Sequence, residues 1–395
     1  MDPTLIAVAQ LAITVAEPDA NRQAAADAVA EAAAAGARLV VLPELCDSGY
    51  VFDAADPAAE ARGLAAPAAD STTLRQWHEL AARHRLVIVG GFCELGADGR
   101  LYNSAALVDA SGTRAVYRKA HLWDSEKLVF TPGDAALPTV DTEAGRVAVM
   151  VCYDLEFPEW TRLAALDGAD LIAAPVNWPG YRWPEGERPA EVVKAQAAAA
   201  ANGVFVAVAD RCRAERGVSW ISGSLIASPE GYTLAGPVLA DRPAVLTAAC
   251  DLSRARDKRL SGRNDLLADR RPELYASTRT RIAPIFPVSD LDTALAYYRG
   301  LGFGTRQWRG DGYGFLTFDG TEIHLGVEPD LDTRKHRATA YLLVEDADAL
   351  ARAWLAAGGE VRLPQDTEWG QHEGVLVDPD GNVIRFGSPM KADAG

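Results

Sequence analysis

Glu44, Lys119 and Cys152 share one place in the sequence pattern: each stands just past an apolar run. Val40-Val41-Leu42-Pro43 leads to Glu44, Ala115-Val116-Tyr117-Arg118 to Lys119, and Val147-Ala148-Val149-Met150-Val151 to Cys152. Open α/β sheets place their sites just outside such strand ends. Cys152 is followed by the polar turn Tyr153-Asp154-Leu155-Glu156, and Pro158 then opens a helix. A thiol in that setting can act as a nucleophile once a base takes its proton. Cys46 and Cys93 also follow strands but lack the strand-turn-helix context. The base is either a histidine or a carboxylate raised by burial. Among the histidines His121 is placed for it, so close behind Lys119 that either could point inward; Glu44 is the carboxylate candidate. Taken singly, each has a plainer reading: a packed thiol, a capping or salt-bridged carboxylate, a surface cation.

The elements that position these residues follow from periodicity. Short Val/Ile/Leu-rich runs at Leu5–Val8, Arg38–Leu42, Leu86–Gly90, Ser104–Val108, Val147–Val151, Leu171–Ala174 and Val204–Val208 read as strands buried on both faces. Ala-rich amphipathic stretches at Asp19–Ala35, Ser71–His84, Pro158–Asp167 and Glu187–Ala201 alternate with them, and Gly36 ends the first. This alternation is that of a layered α/β fold. Basic residues, Arg254 to Arg271 and then Arg279 and Arg281, crowd the stretch that follows, read as a solvated arm or interface segment leading into a linker.

With 395 residues the chain holds at least two domains. Its 39 Lys+Arg against 55 Asp+Glu leave a net charge of −16, which repels phosphate backbones and anionic lipid and argues against nucleic-acid or membrane binding. No apolar run spans a bilayer, and Met1-Asp2-Pro3-Thr4 lacks the basic start of a signal peptide. Five scattered cysteines without a CxxC pair suit reduced thiols, and the expected location is the cytoplasm.

Three ordered motifs carry a resemblance. Pro43-Glu44-Leu45 with Gly49-Tyr50, then Tyr117-Arg118-Lys119-Ala120-His121-Leu122 through Glu126 to Phe130-Thr131-Pro132-Gly133, then Val151-Cys152-Tyr153-Asp154-Leu155-Glu156-Phe157-Pro158-Glu159 resemble the signatures of the nitrilase superfamily of carbon–nitrogen hydrolases. Asn264-Asp265 and Asp269 to Tyr275 resemble the family's end, so the likeness covers about residues 4–276. It implies a four-layer α-β-β-α sandwich and a Glu-Lys-Cys triad: Glu44 as general base, Lys119 with the Tyr153 backbone N–H as oxyanion stabiliser, Cys152 as nucleophile and Glu126 in support. It implies a thioester route releasing acid and ammonia, with no cofactor and no metal. Glu156 stands where many relatives carry Arg, a change of charge near the nucleophile turn. Tyr50, Asn177 and Trp178 would line the substrate pocket by position, or simply pack there. No Arg clamp for a substrate carboxylate is evident, Arg182 and Arg211 being the candidates left open, and a small neutral or aliphatic amide is the expected substrate. A nitrile or an N-carbamoyl compound is the alternative.

Beyond Arg281 the chain repeats itself. Val288-Ser289-Asp290-Leu291-Asp292 returns as Val344-Glu345-Asp346-Ala347-Asp348, and Asp319-Gly320-Thr321-Glu322-Ile323-His324-Leu325 as Asp380-Gly381-Asn382-Val383-Ile384-Arg385-Phe386. Each half reads strand, helix, then further strands, giving an α+β domain of duplicated β-α-β-β-β units. The expected division is 1–276 for the hydrolase, 277–281 as linker, 282–390 for the duplicated domain and 391–395 as tail. With Leu301-Gly302-Phe303 and Asp378-Pro379-Asp380, the repeat resembles the vicinal oxygen chelate superfamily, in particular its glyoxalase and bleomycin-resistance members. Metal-binding relatives place their ligands at positions that fall here on Ala283, His324, Thr339 and Arg385, a set that implies a metal-free domain. Trp308, Tyr313, Phe315 and Trp369 would line a ligand cup or serve as core. A protein that sequesters a small ligand through this domain is the competing reading, and a homo-oligomer is expected.

Overall fold

The structure, a computed structural model, describes residues 3–53, 55–275, 283–308, 312–332, 338–368 and 370–390. It divides into two compact units, Met1–Pro272 and Glu273–Gly395. The expected linker 277–281, the tail 391–395 and Trp369 lie outside the described residues.

In the first unit the strands are β1 (Thr4–Ala12), β2 (Leu39–Val41), β3 (Val87–Leu95), β4 (Leu101–Asp109), β5 (Gly112–Arg118), β6 (Thr139–Thr142), β7 (Gly145–Val149), β8 (Leu171–Pro175), β9 (Phe205–Ala209), β10 (Arg211–Cys212), β11 (Leu225–Ala227), β12 (Thr233–Ala235) and β13 (Ala244–Cys250). The helices are α1 (Pro18–Ala34), α2 (Pro57–Leu64), α3 (Thr72–His84), α4 (Pro158–Leu166) and α5 (Ala190–Asn202). One sheet has the order β10-β1-β2-β3-β4-β5 with β13 also paired to β1; the other runs β12-β11-β9-β8-β7-β6. Both are mixed, with parallel centres and antiparallel flanks.

Strand alternation builds the four layers, because successive side chains point to opposite faces. Ile6, Val8, Leu39, Val41, Val87 and Val89 join Val147, Val149 and Ala173 of the other sheet in one core. Ala7, Ala9, Val40 and Ile88 face the other way, onto Ala25, Ala28, Val29 and Ala32 of α1 and Leu74, Trp77 and Leu80 of α3. On the far side, Ala164 and Ala165 of α4 and Val192, Ala195 and Ala199 of α5 cover the second sheet. Alanines at helical spacing let α1 and α5 lie close against the strands. In the basic stretch after β13, Arg256 pairs with Asp170 and Lys258 donates to the Asn202 and Gly203 carbonyls at the end of α5, while Arg259 and Arg263 are exposed and Arg279 and Arg281 lie outside the described residues.

The second unit opens near a short helix, α6 (Pro272–Tyr275), and holds two copies of one motif. The first is β14 (Ile285–Val288), α7 (Leu291–Gly300), β15 (Gly304–Gln307), β16 (Tyr313–Phe318) and β17 (Thr321–Val327). The second is β18 (Thr339–Leu343), α8 (Ala347–Ala356), β19 (Glu360–Asp366), β20 (Gln371–Val377) and β21 (Val383–Pro389). Their sheets share one topology, β14-β17-β16-β15 and β18-β21-β20-β19. The repeated aspartates are helix N-caps: Asp290 accepts from the Thr293 N–H at 2.8 Å and Asp346 from the Ala349 N–H at 2.9 Å. The repeated Asp-Gly pairs are turns, with Gly320 and Gly381 at φ of 75° and 86°.

Candidate active site

Glu44 sits two residues beyond the run that ends at Leu42, on a backbone that crosses β3 at contact distance. A side chain at Gly91 would put its Cβ 2.5 Å from the Glu44 Cα, so only glycine admits the crossing. Gly91 N–H donates to the Pro43 carbonyl, and Cys46 N–H to the Gly91 carbonyl, both at 3.0 Å. Lys119 follows β5, its N–H bonded to the Asn103 carbonyl at 2.8 Å. Cys152 begins a single 3₁₀ turn after β7, with φ of 48°, in the left-handed region that a non-glycine residue rarely adopts.

Asp154 holds that turn. Its Oδ2 accepts from the Val151 N–H at 3.0 Å and the Tyr117 hydroxyl at 2.8 Å, and its Oδ1 from the His121 N–H at 3.1 Å. The His121 ring lies 2.7 Å from the same Oδ1 and stacks on Phe157 at 3.8 Å. His121 therefore turns to Asp154, and of the two neighbours it is Lys119 that points inward.

Lys119, Glu44 and Glu126 are buried together. Lys119 Nζ donates to Glu44 Oε1 at 2.8 Å and to Glu126 Oε1 at 2.7 Å. Glu126 also accepts the Tyr50 hydroxyl at 2.6 Å and the Trp123 N–H at 3.0 Å. Asn103 Nδ2 donates to Glu44 Oε1 at 2.7 Å, leaving the buried Glu44 Oε2 without a partner among the described residues. Burial pushes the Glu44 carboxyl up to about 7, Lys119 pulling it down and Glu126 pushing it further up. Burial, then the Glu44 charge, raises the Cys152 thiol well above its ordinary value, against the pull of Lys119. For Lys119 burial opposes the ammonium, but Glu126 and Glu44 outweigh it and hold the group protonated. At rest the site thus carries a thiol, an ammonium and a carboxyl poised to exchange a proton near neutrality.

The positions expected to line a pocket divide. Tyr50 lines a cavity of about 490 Å³ that reaches Glu126 and runs between Phe52, Trp123, Phe130 and Trp220. Asn177 is not one of its walls; its side chain donates to the Glu44 carbonyl at 2.9 Å, and its own carbonyl lies 3.9 Å from the Cys152 sulfur. Trp178 is a core residue: its ring packs against Gly223 and its N–H bonds the buried Asp210. Glu156, the residue that departs from the usual Arg, pairs with Lys194 of α5 at 2.6 Å and is not part of this cavity. Arg211 does not clamp a substrate, since it is committed to Glu215 at 3.0 and 2.8 Å and to the Ile13 carbonyl. Glu215 in turn accepts the Tyr50 and Val51 N–H groups at 2.9 and 2.7 Å, and the Arg211 guanidinium lies 4.5 Å from the centre of the Trp220 ring. Sequence reasoning missed Asn103, Glu215 and Trp220; Glu215 and Trp220 lie in a stretch without strand or helix periodicity, and a buried Asn in a strand was the one available signal.

In the second unit the register sets Ile285 beside His324 and Tyr341 beside Arg385, with Ala283 and Thr339 two residues before Ile285 and Tyr341. His324 is engaged with Tyr313 and Glu322, each at 2.8 Å, and Arg385 with Glu373. The expected positions Ala283, His324, Thr339 and Arg385 do not fit a divalent metal, because His324 is the one usual ligand among them, and the paired Ile285 and Tyr341 do not complete a set. Tyr313 and Phe315 cluster on His324, and Trp308 packs near Phe315 while remaining exposed. Among the described residues no group of three or more His, Cys, Asp or Glu is placed to hold a metal ion, and no helix is long and apolar enough to cross a membrane.

Residues 5–260 match the carbon-nitrogen hydrolase family, and residues 281–386 match the glyoxalase/bleomycin resistance protein/dioxygenase superfamily. A protein named nitrilase from Pyrococcus abyssi is 38% identical over 270 residues, covering 68% of this chain and 98% of its own. An (R)-stereoselective amidase from a Pseudomonas species is 34% identical over 197 residues, covering 50% of this chain and 67% of its own. Among solved structures, the amidase from Nesterenkonia sp. AN1, in a form showing Michael addition of acrylamide at its active-site cysteine, superposes with a TM-score of 0.57 at 28% identity, covering 69% of this chain and 98% of that one. With these matches and its buried acid, ammonium and thiol, the chain belongs to the carbon–nitrogen hydrolases of the nitrilase superfamily, its hydrolase domain fused to a glyoxalase/bleomycin-resistance domain.

Proposed function

We propose that the protein hydrolyses the C–N bond of a small neutral amide through a thioester on Cys152. The observation that carries this reading is the buried array in which Lys119 bridges Glu44 and Glu126 beside the Cys152 turn, with Glu44 Oε2 free to take a proton. Glu44 removes the thiol proton as sulfur attacks the amide carbon. Lys119 and the Tyr153 backbone N–H hold the oxyanion, the contribution expected to be largest in acyl transfer. The C–N bond breaks as Glu44 returns the proton to nitrogen, ammonia leaves and the acyl group stays on sulfur. Water then gives its proton to Glu44 and attacks the thioester; the acid departs and the thiol recovers its proton. Glu126 keeps Lys119 charged and in place throughout.

That the Nesterenkonia protein is an amidase with a reactive active-site cysteine supports an amide. The Pyrococcus relative's name supports a nitrile, attacked at the same sulfur to give a thioimidate. Matched amide and nitrile pairs, assayed for ammonia and acid, separate the two. Mass spectrometry of the full chain after a brief incubation should find the acyl mass on Cys152. Retention of full activity by Cys152→Ala refutes the mechanism.

A further inference from the structure

We propose that the acyl group this hydrolase accepts is uncharged and apolar with room for an aromatic ring, and that Trp220 is the wall that selects it. The inference rests on the amide reading above. Glu44, Lys119 and Cys152 are not among the walls of the cavity of about 490 Å³, which meets them through Glu126, bonded to Lys119, and through Tyr50. Ammonia, the departing group, needs none of that room, and we assign the space, of a size that encloses drug-sized ligands, to the acyl part.

Charge decides what that part can be. Among the described residues lining the cavity there is no Lys, Arg or His; the two charged members are Asp124 and Glu126. Glu126 is already satisfied by Lys119, Tyr50 and the Trp123 N–H. The cations behind the wall are committed: Lys119 to Glu44 and Glu126, Arg216 to Glu60 and the Val51 carbonyl, and Arg211 to Glu215, its guanidinium lying over the Trp220 ring. A substrate carboxylate would leave water with no partner and two carboxylates for company. An ammonium would meet only Asp124, which is exposed, where a single pairing is worth little.

Shape decides the rest. Trp220 is 8% exposed and Phe130 6%, so both form the inner wall, whereas Trp123 and Leu128 are exposed at the rim. Trp220 is held edge-on to Tyr50 at 5.6 Å between centroids and backed by Arg211, so it is a fixed surface rather than a flap. An aromatic acyl group gains from such a wall what a straight chain of similar length does not.

The test is a kcat/KM comparison on the full chain with 3-phenylpropionamide, pentanamide and glutaramate, the monoamide of a dicarboxylic acid. The phenyl substrate should exceed pentanamide by about tenfold, and glutaramate should fall at least ~100-fold below pentanamide. Trp220→Leu should erase the phenyl preference, and Trp220→Phe should keep most of it. Glutaramate turned over within tenfold of pentanamide overturns the acyl assignment while leaving the amidase reading intact. An unchanged phenyl preference in soluble Trp220→Leu overturns the role of Trp220. No ammonia from any of the three amides overturns the amide reading and this inference with it.

Discussion

Replacing Asn103 with leucine removes one donor from the general base and nothing from the nucleophile. Asn103 Nδ2 lies 2.7 Å from Glu44 Oε1, the oxygen that also receives Lys119, and the residue is fully buried. A donor favours the ionised acid, so its loss raises the Glu44 value above its present level of about 7. A hydrogen bond to a charged group is worth ~1.5–3 kcal/mol, and one pH unit corresponds to about 1.36 kcal/mol. With Lys119 still in place to take up part of the loss, an upward move of about one unit is expected. Below the limb the reaction needs Glu44 ionised, so at neutral pH the variant should be about fivefold slower in kcat/KM, converging on the parent above about pH 9. The assay is a pH profile of kcat/KM for ammonia release, which reports the free enzyme. The Lys119 backbone contact to Asn103 uses the main-chain carbonyl and survives the change. An acid limb that stays where it was, in a variant with the parent's circular dichroism, refutes the assignment of that limb to Glu44.

Other outcomes follow from the same geometry. Arg211→Met leaves Glu215 buried without its cation and should cost about 3–5 kcal/mol in urea unfolding of the first unit; a change under about 1 kcal/mol would show that the pair contributes nothing there. Glu44, Asp47 and Asp210 have folded values raised to about 7, about 6 and about 7, with burial the first cause in each. Each therefore holds a proton in the folded state at pH values where the unfolded chain has lost it. The stability this adds is full below the ordinary carboxylate values, near 4, and is lost as pH rises toward 7. Tm should consequently be higher near pH 5 than near pH 8, and a Tm that climbs across that window is incompatible with three buried, raised carboxyls. Asp346→Ala removes the N-cap of α8 and should lower the stability of the second unit by about 1 kcal/mol, Asp346→Asn by much less. Equal losses in the two variants would argue that charge rather than capping is the contribution.

Much of this protein could be read along the chain because its signals are local. A run of β-branched residues, a polar turn and Pro158 were enough to put Cys152 at the start of a turn between β7 and α4. The Ala-rich stretch expected at Asp19–Ala35 became α1 at Pro18–Ala34, with Gly36 at φ of 92° beyond its end. The internal repeat announced two copies of one motif, and the structure shows why: its aspartates are caps and its Asp-Gly pairs are turns, requirements met within a few residues.

The direction of each side chain at the site was decided elsewhere. Whether His121 or Lys119 turned inward depended on Asp154, 33 residues from His121, accepting the histidine. Trp178, expected at the pocket, packs its ring on Gly223 in the core, whereas Trp220, which no sequence pattern marked, is held at the cavity by Tyr50 and Arg211. Arg211, which the sequence leaves open as a substrate clamp, is neutralised by Glu215, which also grips the Tyr50 loop 165 residues away. Local sequence determined which residues sit at the strand ends, because propensity and hydrophobic period act over a few residues. Tertiary structure alone decided which of them share a proton, because burial and hydrogen-bond saturation are set by partners that only folding brings within 3 Å.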